Sequence, residues 1–329
     1  MNKDIWIFIE QIEGKIANVS LELLAEAHRL KTKMKEPGKV VAVIIGFGVE
    51  ELTKNVQEYG AEKVYVADDT ILKLYEPQYY ATILAYLIKK NDPHIFLVGA
   101  STLGSQLAPT VAAKVKTGVA AHCVELKIKK DDQLIAVVPA FGGKVLGDIL
   151  CPHNRPQIAS IKPGIFERPE KTKVEGEVVK VDLTFLTDVN TNLKPLNLYR
   201  EEPKGLPLEE TDIVICGGWG VGSSENWSYL ERLANKLGGA IACTRPPVDE
   251  GWAPGEHIMI GTSGKSVRPK IYLGFGISGA THHICGMKDS GLIININKDE
   301  KAEIFKISDY GVVADINHVL PLLSEVIHK

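Results

Sequence analysis

The sequence has few cysteines and no long apolar run. Its five cysteines, at positions 123, 151, 216, 243 and 285, are scattered and form no CxxC pair. This excludes a disulfide framework and a zinc or iron–sulfur ligand pattern, so we expect a reducing, cytoplasmic compartment. No stretch approaches the ~18 apolar residues of a membrane span. The start, MNKDIWIFIEQ, is interrupted by acidic residues, so we expect neither a signal peptide nor membrane insertion.

The chain also lacks an excess of charge of one sign. Its 329 residues carry a formal net charge of −3, with 45% hydrophobic and 24% charged residues. This balance is typical of a globular protein and gives no reason to expect a nucleic-acid partner. The length predicts two domains. The polar, proline-containing stretch 190–205 places their boundary near residue 200, which gives domains 1–200 and 201–329.

Strand and helix patterns alternate between Ile5 and Lys114. This alternation predicts a parallel, doubly wound sheet with helices on both faces. After Thr117, short runs separated by turn residues predict antiparallel strands at 123–129, 133–139, 144–149 and 157–161. We therefore expect an α/β fold of two domains, each a mostly parallel doubly wound sheet, the first with an added antiparallel section.

The second domain is organised around residues 270–297. A strand at Lys270–Phe275, a Gly276–Gly279 turn, a helix from Ala280 to Met287 and a strand at Leu292–Ile296 predict one βαβ unit. Such a turn leaves backbone N–H groups available to an anion, and open α/β sheets bind ligands at the tips of their strands. A nucleotide or phosphate site is one interpretation. A simple tight turn is the other, because the spacing is not GxGxxG.

Three further loops, 217–224, 244–245 and 261–265, follow strands or lie beside them. Their tips gather on one edge of a parallel sheet, which favours a nucleotide-type cofactor. Neither glycine-rich loop alone has the dinucleotide or the Walker spacing. Residues 246–260 are predicted to be a loop and 302–307 a strand. Asp315 is a candidate N-cap for a helix over 316–327.

Several polar residues at these strand ends have two interpretations. Arg245 can face a ring or a phosphate, or it can be a solvated surface arginine. His282 and His283 are adjacent on a helix and face different directions, so a shared metal is not expected. Asn297 and Asp315 are either ligand contacts or turn and cap formers. The sequence shows no Ser-His-Asp set and no paired carboxylates, so no catalytic residue is predicted.

Long motifs in both halves resemble the α subunit of electron transfer flavoprotein, over nearly the whole chain. The most specific are GISGATHHICGMKDS and INKDEKAEIFKISDYGVVADI in the second domain. The first domain adds LVGASTLGSQLAPTVAAKVKTG and PAFGGKVLGDILCPHNRPQIASIKPG. The resemblance implies a redox carrier rather than a substrate-converting enzyme.

It also implies a heterodimer with a β subunit, which the first domain contacts, and an FAD bound by the second domain. Electrons would pass between acyl-CoA dehydrogenase-type flavoproteins and a further acceptor, and some members bifurcate electrons from NADH with a second FAD in the β subunit. The family's cofactor residues correspond here to Thr244, Arg245, Ile260, Gly261, Thr262, Ser263, Ser278, Gly279, Ala280, Thr281, His282, His283, Asn297, Asp315 and Ile316.

The resemblance assigns roles to some of these residues. Arg245 would lie near the isoalloxazine and stabilise its reduced, anionic form, and Ser263 would hydrogen-bond the ring near N5. His283 would lie near the O2 edge of the ring. Ser278 and the turn that contains it would hold the pyrophosphate, and Asn297 and Asp315 would hold the adenosine end.

Three positions depart from the family pattern. Gly218-Trp219-Gly220 replaces Gly-Arg-Gly, which removes an arginine from the phosphate or adenine side. Thr262-Ser263 replaces Gln-Thr, and His282-His283 replaces Gln-His. Because histidine gains charge in mildly acidic solution, His282 predicts a shifted, pH-dependent flavin potential.

Two functions of other classes stay open at this stage. One is an NAD-dependent oxidoreductase that holds its dinucleotide in the second domain, and the other is a non-catalytic nucleotide sensor. A yellow purified protein counts against the first. Flavin that cycles with dithionite and an acyl-CoA dehydrogenase counts against the second.

Overall fold

The computed structural model describes residues 2–140, 145–167, 169–172, 176–189, 191, 193–198, 206–208 and 211–326. The chain divides into two compact units, 1–199 and 200–329. Each unit has its own buried apolar core. Residues 199–205, where the sequence predicts the boundary, lie outside the described residues.

Unit 1 is built on strands that are apolar along most of their length, as expected for a sheet covered on both faces. The strands of this sheet are β1 (Ile5–Ile9), β4 (Val40–Gly46), β5 (Lys63–Asp68), β6 (Ile95–Gly99), β7 (Val119–Cys123), β11 (Gln157–Ile161) and β12 (Glu177–Lys180). Their order is β12-β5-β4-β1-β6-β11-β7, and every pair is parallel.

Helices cover the two faces of this sheet. They are α1 (Asn18–Lys31), α2 (Leu52–Glu58), α3 (Pro77–Asn91) and α4 (Thr102–Val115). Apolar residues of α1 and α2 join one core cluster and those of α3 and α4 the other, so the sheet is doubly wound. The antiparallel section consists of β8 (Glu125–Ile128), β9 (Leu134–Ala140) and β10 (Val145–Ile149). A short hairpin pairs β2 (Gln11–Ile12) with β3 (Lys15–Ile16).

The prediction of an antiparallel strand at 157–161 is wrong. This segment is β11, which is buried throughout and pairs in parallel with β6 and β7 inside the main sheet. The polar residue Gln157 fits there because its side-chain amide bonds the backbone of Leu134 at 2.9 and 3.2 Å. Strand β7 was not predicted at all.

Unit 2 is a second parallel sheet. Its strands are β13 (Ile213–Gly217), β14 (Ala240–Cys243), β15 (Ile271–Phe275), β16 (Leu292–Asn297) and β17 (Tyr310–Val313), in the order β14-β13-β15-β16-β17. Its helices are α5 (Ser224–Leu237), α6 (Arg245–Asp249), α7 (Thr281–Ile284) and α8 (Ile316–Val326). The predicted α/β class with two mostly parallel sheets is confirmed. None of the described helices has the length and apolar composition needed to cross a bilayer.

Three local predictions in unit 2 are wrong. The strand expected at 302–307 is a 3-10 turn at Glu303–Ile307, and the edge strand is β17, whose exposed residues give no burial pattern. The loop at 246–260 holds α6, which two prolines help to start, and a 3-10 turn at Glu256–Ile258. Helix α7 ends at Ile284 rather than at Met287.

Candidate functional site

A cleft of about 840 Å³ lies in unit 2, lined by the segments that follow β13, β14, β15 and β16. Parallel strands present their carboxyl ends on one edge of a sheet, so these segments meet there. The predicted residues that line the cleft are Thr244, Arg245, Ile260, Gly261, Thr262, Ser263, Ser278, Ala280, His282, His283 and Asn297. Gly279 and Thr281 belong to the same turn and short helix but do not line the cleft.

A second cavity of about 570 Å³ adjoins the cleft and contains the two remaining predicted residues, Asp315 and Ile316. The two cavities share Trp219, Gly220, Gly276, Asn297 and Lys298. All the residues proposed from the sequence therefore lie in one region of unit 2.

Backbone hydrogen bonds join the loop after β13 to the turn after β15. The Gly218 N–H donates to Phe275 O at 2.8 Å, and the Gly220 N–H donates to Gly276 O at 2.9 Å. The two backbones are so close that a Cβ on Gly276 would lie 2.6 Å from the carbonyl carbon and Cα of Gly220. Glycine is required at both positions because the two backbone segments pack directly against each other.

The turn at Gly276–Gly279 lies beside the cleft and contains backbone donors without a protein partner among the described residues. Gly276 and Gly279 have φ values of +63° and +88°, which a residue with a side chain adopts only at a cost. Within the described residues, the N–H groups of Ser278, Gly279 and Ala280 donate to no protein acceptor. Successive free N–H groups with an adjacent hydroxyl suit an anionic group such as a phosphate. The turn therefore fits the pyrophosphate of a dinucleotide.

The opposite wall of the cleft is the segment from Ile260 to Ser263. It is attached to β14 because the Ile260 N–H donates to Cys243 O at 2.9 Å. It is attached to α7 because the Thr262 N–H donates to His282 O at 2.8 Å, while the Thr262 hydroxyl lies 3.1 Å from His282 Nδ1. The exposed hydroxyl of Ser263 is left facing the cleft.

His283 is held behind this wall by a buried hydrogen-bond chain. Its Nδ1 lies 3.1 Å from Ile260 O, which can only accept, so Nδ1 carries the proton. Its Nε2 then accepts from the Tyr272 hydroxyl at 2.7 Å. Burial lowers the pKa of His283 to about 4, so the ring is neutral near pH 7. These two hydrogen bonds fix the position of the Ile260 carbonyl and of the segment from Ile260 to Ser263.

Arg245 supplies positive charge at the mouth of the cleft. It is the first residue of α6, and its side chain is exposed. Its Nε donates to Asp249 at 2.8 Å, and a terminal nitrogen lies 3.4 Å from Glu256. The guanidinium is thus oriented by two carboxylates while its remaining donors stay accessible.

Asn297 and Asp315 have structural roles as well as positions beside the cavities. Asn297 Nδ2 donates to Ile277 O at 2.8 Å, and its Oδ1 accepts from the Asp299 N–H at 3.0 Å. Asp315 accepts from the Asn317 N–H at 2.9 Å at the start of α8. The capping interpretation of Asp315 is therefore confirmed.

Sequence reasoning missed Tyr272, Lys298 and Lys301. The sequence pattern identifies Tyr272 only as an apolar strand residue, and the one signal for its role is a histidine, His283, on the next element along the chain. Lys298 and Lys301 line the cleft and add positive charge beside Asp299 and Glu303. Among the described residues, no group of three or more His, Cys, Asp or Glu side chains could hold a metal.

Comparison with known proteins identifies the family. The electron transfer flavoprotein domain model matches residues 5–186, over half of the chain, and the electron transfer flavoprotein FAD-binding domain model matches residues 207–288. The electron transfer flavoprotein subunit alpha of Thermoanaerobacterium thermosaccharolyticum is 40% identical over 99% of this chain and 98% of its own length. The chain belongs to the electron transfer flavoprotein α-subunit family. FAD is the cofactor, as predicted.

Other relatives of this electron transfer flavoprotein chain have different names. The protein FixB of Clostridium saccharobutylicum is 40% identical over 98% of this chain and 95% of its own length. The subunit LctC of the lactate dehydrogenase (NAD(+),ferredoxin) of Acetobacterium woodii is 35% identical over 99% of this chain and 77% of its own length. The individual FAD contacts remain predictions.

Replacing Gly279 by alanine should destabilise unit 2 and distort the donor turn. The new Cβ would collide with the backbone of Ile304, and the positive φ adds strain, so we expect a loss of about 2–4 kcal/mol in urea unfolding. Gly238→Ala is the control, because Gly238 also has a positive φ but open space around it. It should lose only about 1 kcal/mol. If both variants lost the same free energy of unfolding, the collision with the Ile304 backbone would cost nothing, and the prediction would be wrong.

His283→Gln should flatten the pH dependence of stability. The pKa of the His283 ring is about 6.5 in the unfolded chain and about 4 in the folded chain. Between these two values the unfolded state binds a proton that the folded state does not, so the free energy of unfolding falls as the pH drops from about 6.5 to about 4. The histidine contributes roughly 3 kcal/mol to that fall, which the variant should lack in urea unfolding at a series of pH values. His282→Gln is the control, because His282 is exposed, and it should keep the wild-type slope. An unchanged slope in His283→Gln would contradict the assignment.

Proposed function

We propose that the chain is the α subunit of an electron transfer flavoprotein, with FAD bound in the cleft of unit 2. It carries electrons between an acyl-CoA dehydrogenase-type flavoprotein and a further acceptor. The observation that carries this proposal is that Ser278 and Ala280, whose N–H groups donate to no acceptor among the described residues, line a cleft that also holds Arg245 and hydroxyl groups. The FAD supplies the redox chemistry when bound, and the protein supplies binding and electrostatics.

The residues in the cleft suit the parts of FAD. The turn at Ser278–Ala280 would hold the pyrophosphate, and Asn297 and Asp315 would lie towards the adenosine. Arg245 and the Ser263 hydroxyl would face the isoalloxazine. A fixed guanidinium beside the ring favours the negative charge that a flavin acquires on reduction.

His283 would lie beside the ring, at its O2 edge, as a neutral side chain. Both of its nitrogens are already engaged, by Tyr272 and by Ile260. A hydrogen bond from His283 to FAD would therefore require the loss of one of these two bonds. Its other contribution is to hold the wall from Ile260 to Ser263 in place.

A β subunit is the expected partner of unit 1. The edge strand β10 and the residue after it expose Val145, Leu146, Ile149 and Leu150 to solvent. Several exposed apolar residues on one edge strand are typical of a protein–protein contact. This feature supports the proposal that unit 1 contacts the β subunit, with this edge as a candidate contact.

Electron bifurcation is a second candidate within the same family. The relative LctC is named as a subunit of a lactate dehydrogenase (NAD(+),ferredoxin), and it aligns with 99% of this chain. A bifurcating protein would need a second FAD, which the β subunit would hold. The flavin content of the heterodimer therefore separates the two candidates.

The full chain produced together with its β subunit should be yellow and contain FAD. One FAD per heterodimer supports a simple carrier, and two support bifurcation, to be followed by reduction with NADH. Ala280→Trp should remove one FAD, because its side chain would occupy the cleft. Leu322→Trp, on the exposed side of α8, should leave the count unchanged. A colourless wild-type heterodimer would refute the proposal, and a full count in Ala280→Trp would place the FAD elsewhere.

Arg245→Ala should lower the flavin potential by tens of millivolts. The variant removes a cation and leaves Asp249 and Glu256 unneutralised, and both changes disfavour negative charge on the flavin. The potential is measured by redox titration at one pH. Arg245→Lys should retain part of the wild-type value. Arg268→Ala, which removes an exposed arginine paired with Asp289 outside the cleft, is the control. An unchanged potential in Arg245→Ala would exclude the role.

A further inference from the structure

Trp219 is exposed in an unusual place. Its side chain is 67% exposed, whereas Trp6 and Trp227 are buried in the two cores. It lines the cleft and also the adjoining cavity that contains Asp315. A large apolar ring left in water at the junction of two cavities is a stronger indication of a ligand than an isolated surface aromatic.

The backbone around Trp219 is fixed by its two neighbouring glycines. Trp219 begins a one-turn 3-10 segment, and the glycines on either side are hydrogen-bonded to Phe275 O and Gly276 O. Both glycines touch the backbone at 276, since a Cβ on Gly220 would lie 2.7 Å from Gly276 Cα and a Cβ on Gly218 would collide there. The loop backbone therefore has little room to shift, and it keeps the attachment point of the indole beside both cavities.

The adjoining cavity has the chemistry of a site for a flat, polar-edged ring. Trp252 lines it together with Trp219, and its other walls include Asn226, Asp315 and Asn317. The amide groups are connected, because Asn226 Nδ2 donates to Asn317 Oδ1 at 2.8 Å and Asn317 Nδ2 donates to Asp315 at 2.9 Å. Aromatic faces provide stacking, and amides and a carboxylate provide hydrogen-bond partners for ring nitrogens.

The two cavities differ in the groups that belong to each alone. Arg245, Ser263 and the donor turn at Ser278 line only the cleft, while Asp315 and Asn317 line only the adjoining cavity. A dinucleotide with its flavin at Arg245 and its phosphates at the turn would have its other end directed past Trp219. We propose that Trp219 stacks on the adenine of FAD in the adjoining cavity. This inference rests on the proposed function, which places the FAD in the cleft.

The indole would thereby offer a stacking contact at the position where the family pattern Gly-Arg-Gly has a charged arginine. Stacking of a base on an aromatic side chain is lost on truncation at a cost that corresponds to about a 5- to 100-fold change in Kd. It requires a flat ring rather than a charge at position 219. Phenylalanine at this position should therefore keep most of the affinity, and leucine should not.

The test uses the full chain in its heterodimer, freed of flavin, with ADP, FMN and FAD as probes. ADP carries the adenine without a flavin, and FMN carries the flavin without an adenine. Binding is followed by tryptophan fluorescence and by calorimetry for wild type, Trp219→Leu and Trp219→Phe. Tyr310→Leu is the matched control, because Tyr310 is a 64% exposed aromatic on β17 that lines neither cavity. Thermal unfolding checks that each variant is folded.

We expect Trp219→Leu to weaken ADP and FAD about 5- to 100-fold, to leave FMN unchanged and to lose the part of the ADP-induced quenching that comes from Trp219, while Trp252, which lines the same cavity, keeps its own part. Trp219→Phe should lose the same part of the quenching but keep most of the affinity. Unchanged binding of ADP and FAD in Trp219→Leu would overturn the proposal. If Trp219→Leu binds FMN more weakly, the indole contacts the flavin instead of the adenine. If Trp219→Leu fails to bind the β subunit but binds the three probes normally, the indole is part of a protein contact. A wild-type heterodimer that binds none of the probes would refute the proposed function itself.

Discussion

The close backbone packing between the loop after β13 and the turn after β15 is the constraint on which the site depends. Gly220 and Gly276 meet with no side chain between them, and their hydrogen bond fixes the relative positions of the two loops. Because β13 and β15 are neighbours in a parallel sheet, their carboxyl ends already lie side by side. Because Gly220 and Gly276 have no side chains, the two loops touch, and the cleft lies beside this contact. Its donors are therefore positioned before any ligand arrives.

The second wall is positioned by a different kind of interaction. The chain from Tyr272 through His283 to the Ile260 carbonyl links a core strand to a surface loop. Both ring nitrogens of His283 are engaged in this buried chain, so the loop at Ile260 is tied to the core strand β15. Charge is then added at the exposed end, where Arg245 is oriented by carboxylates but still faces solvent. The groups that hold the cleft in shape are therefore different from the charged group at its exposed end.

Much of the fold followed from the sequence because the βαβ repeats have strong periodic signals. The order of the strands within the sheets was harder to predict from the sequence. Segment 157–161 lies after three short antiparallel strands, and nothing local distinguishes it from them, although it returns to the central sheet. Segment 302–307 failed for another reason. Ile304 and Ile307 are three residues apart and suit a 3-10 turn as well as a strand, while the real strand at Tyr310–Val313 is exposed.

The candidate site was predictable as a set of loops but not as a set of interactions. Ser278 follows β15 and Asn297 is the last residue of β16, so their convergence is expected from the topology of a parallel sheet. The role of Tyr272 does not, because its partner His283 is brought to it only by the packing of α7 on the sheet. The rigidity at position 219 also has a consequence for how the family can vary. Since the two glycines fix the loop through their backbone contacts, the side chain between them can change its chemistry without moving the backbone, and the surface of the cleft can vary there while the fold stays the same.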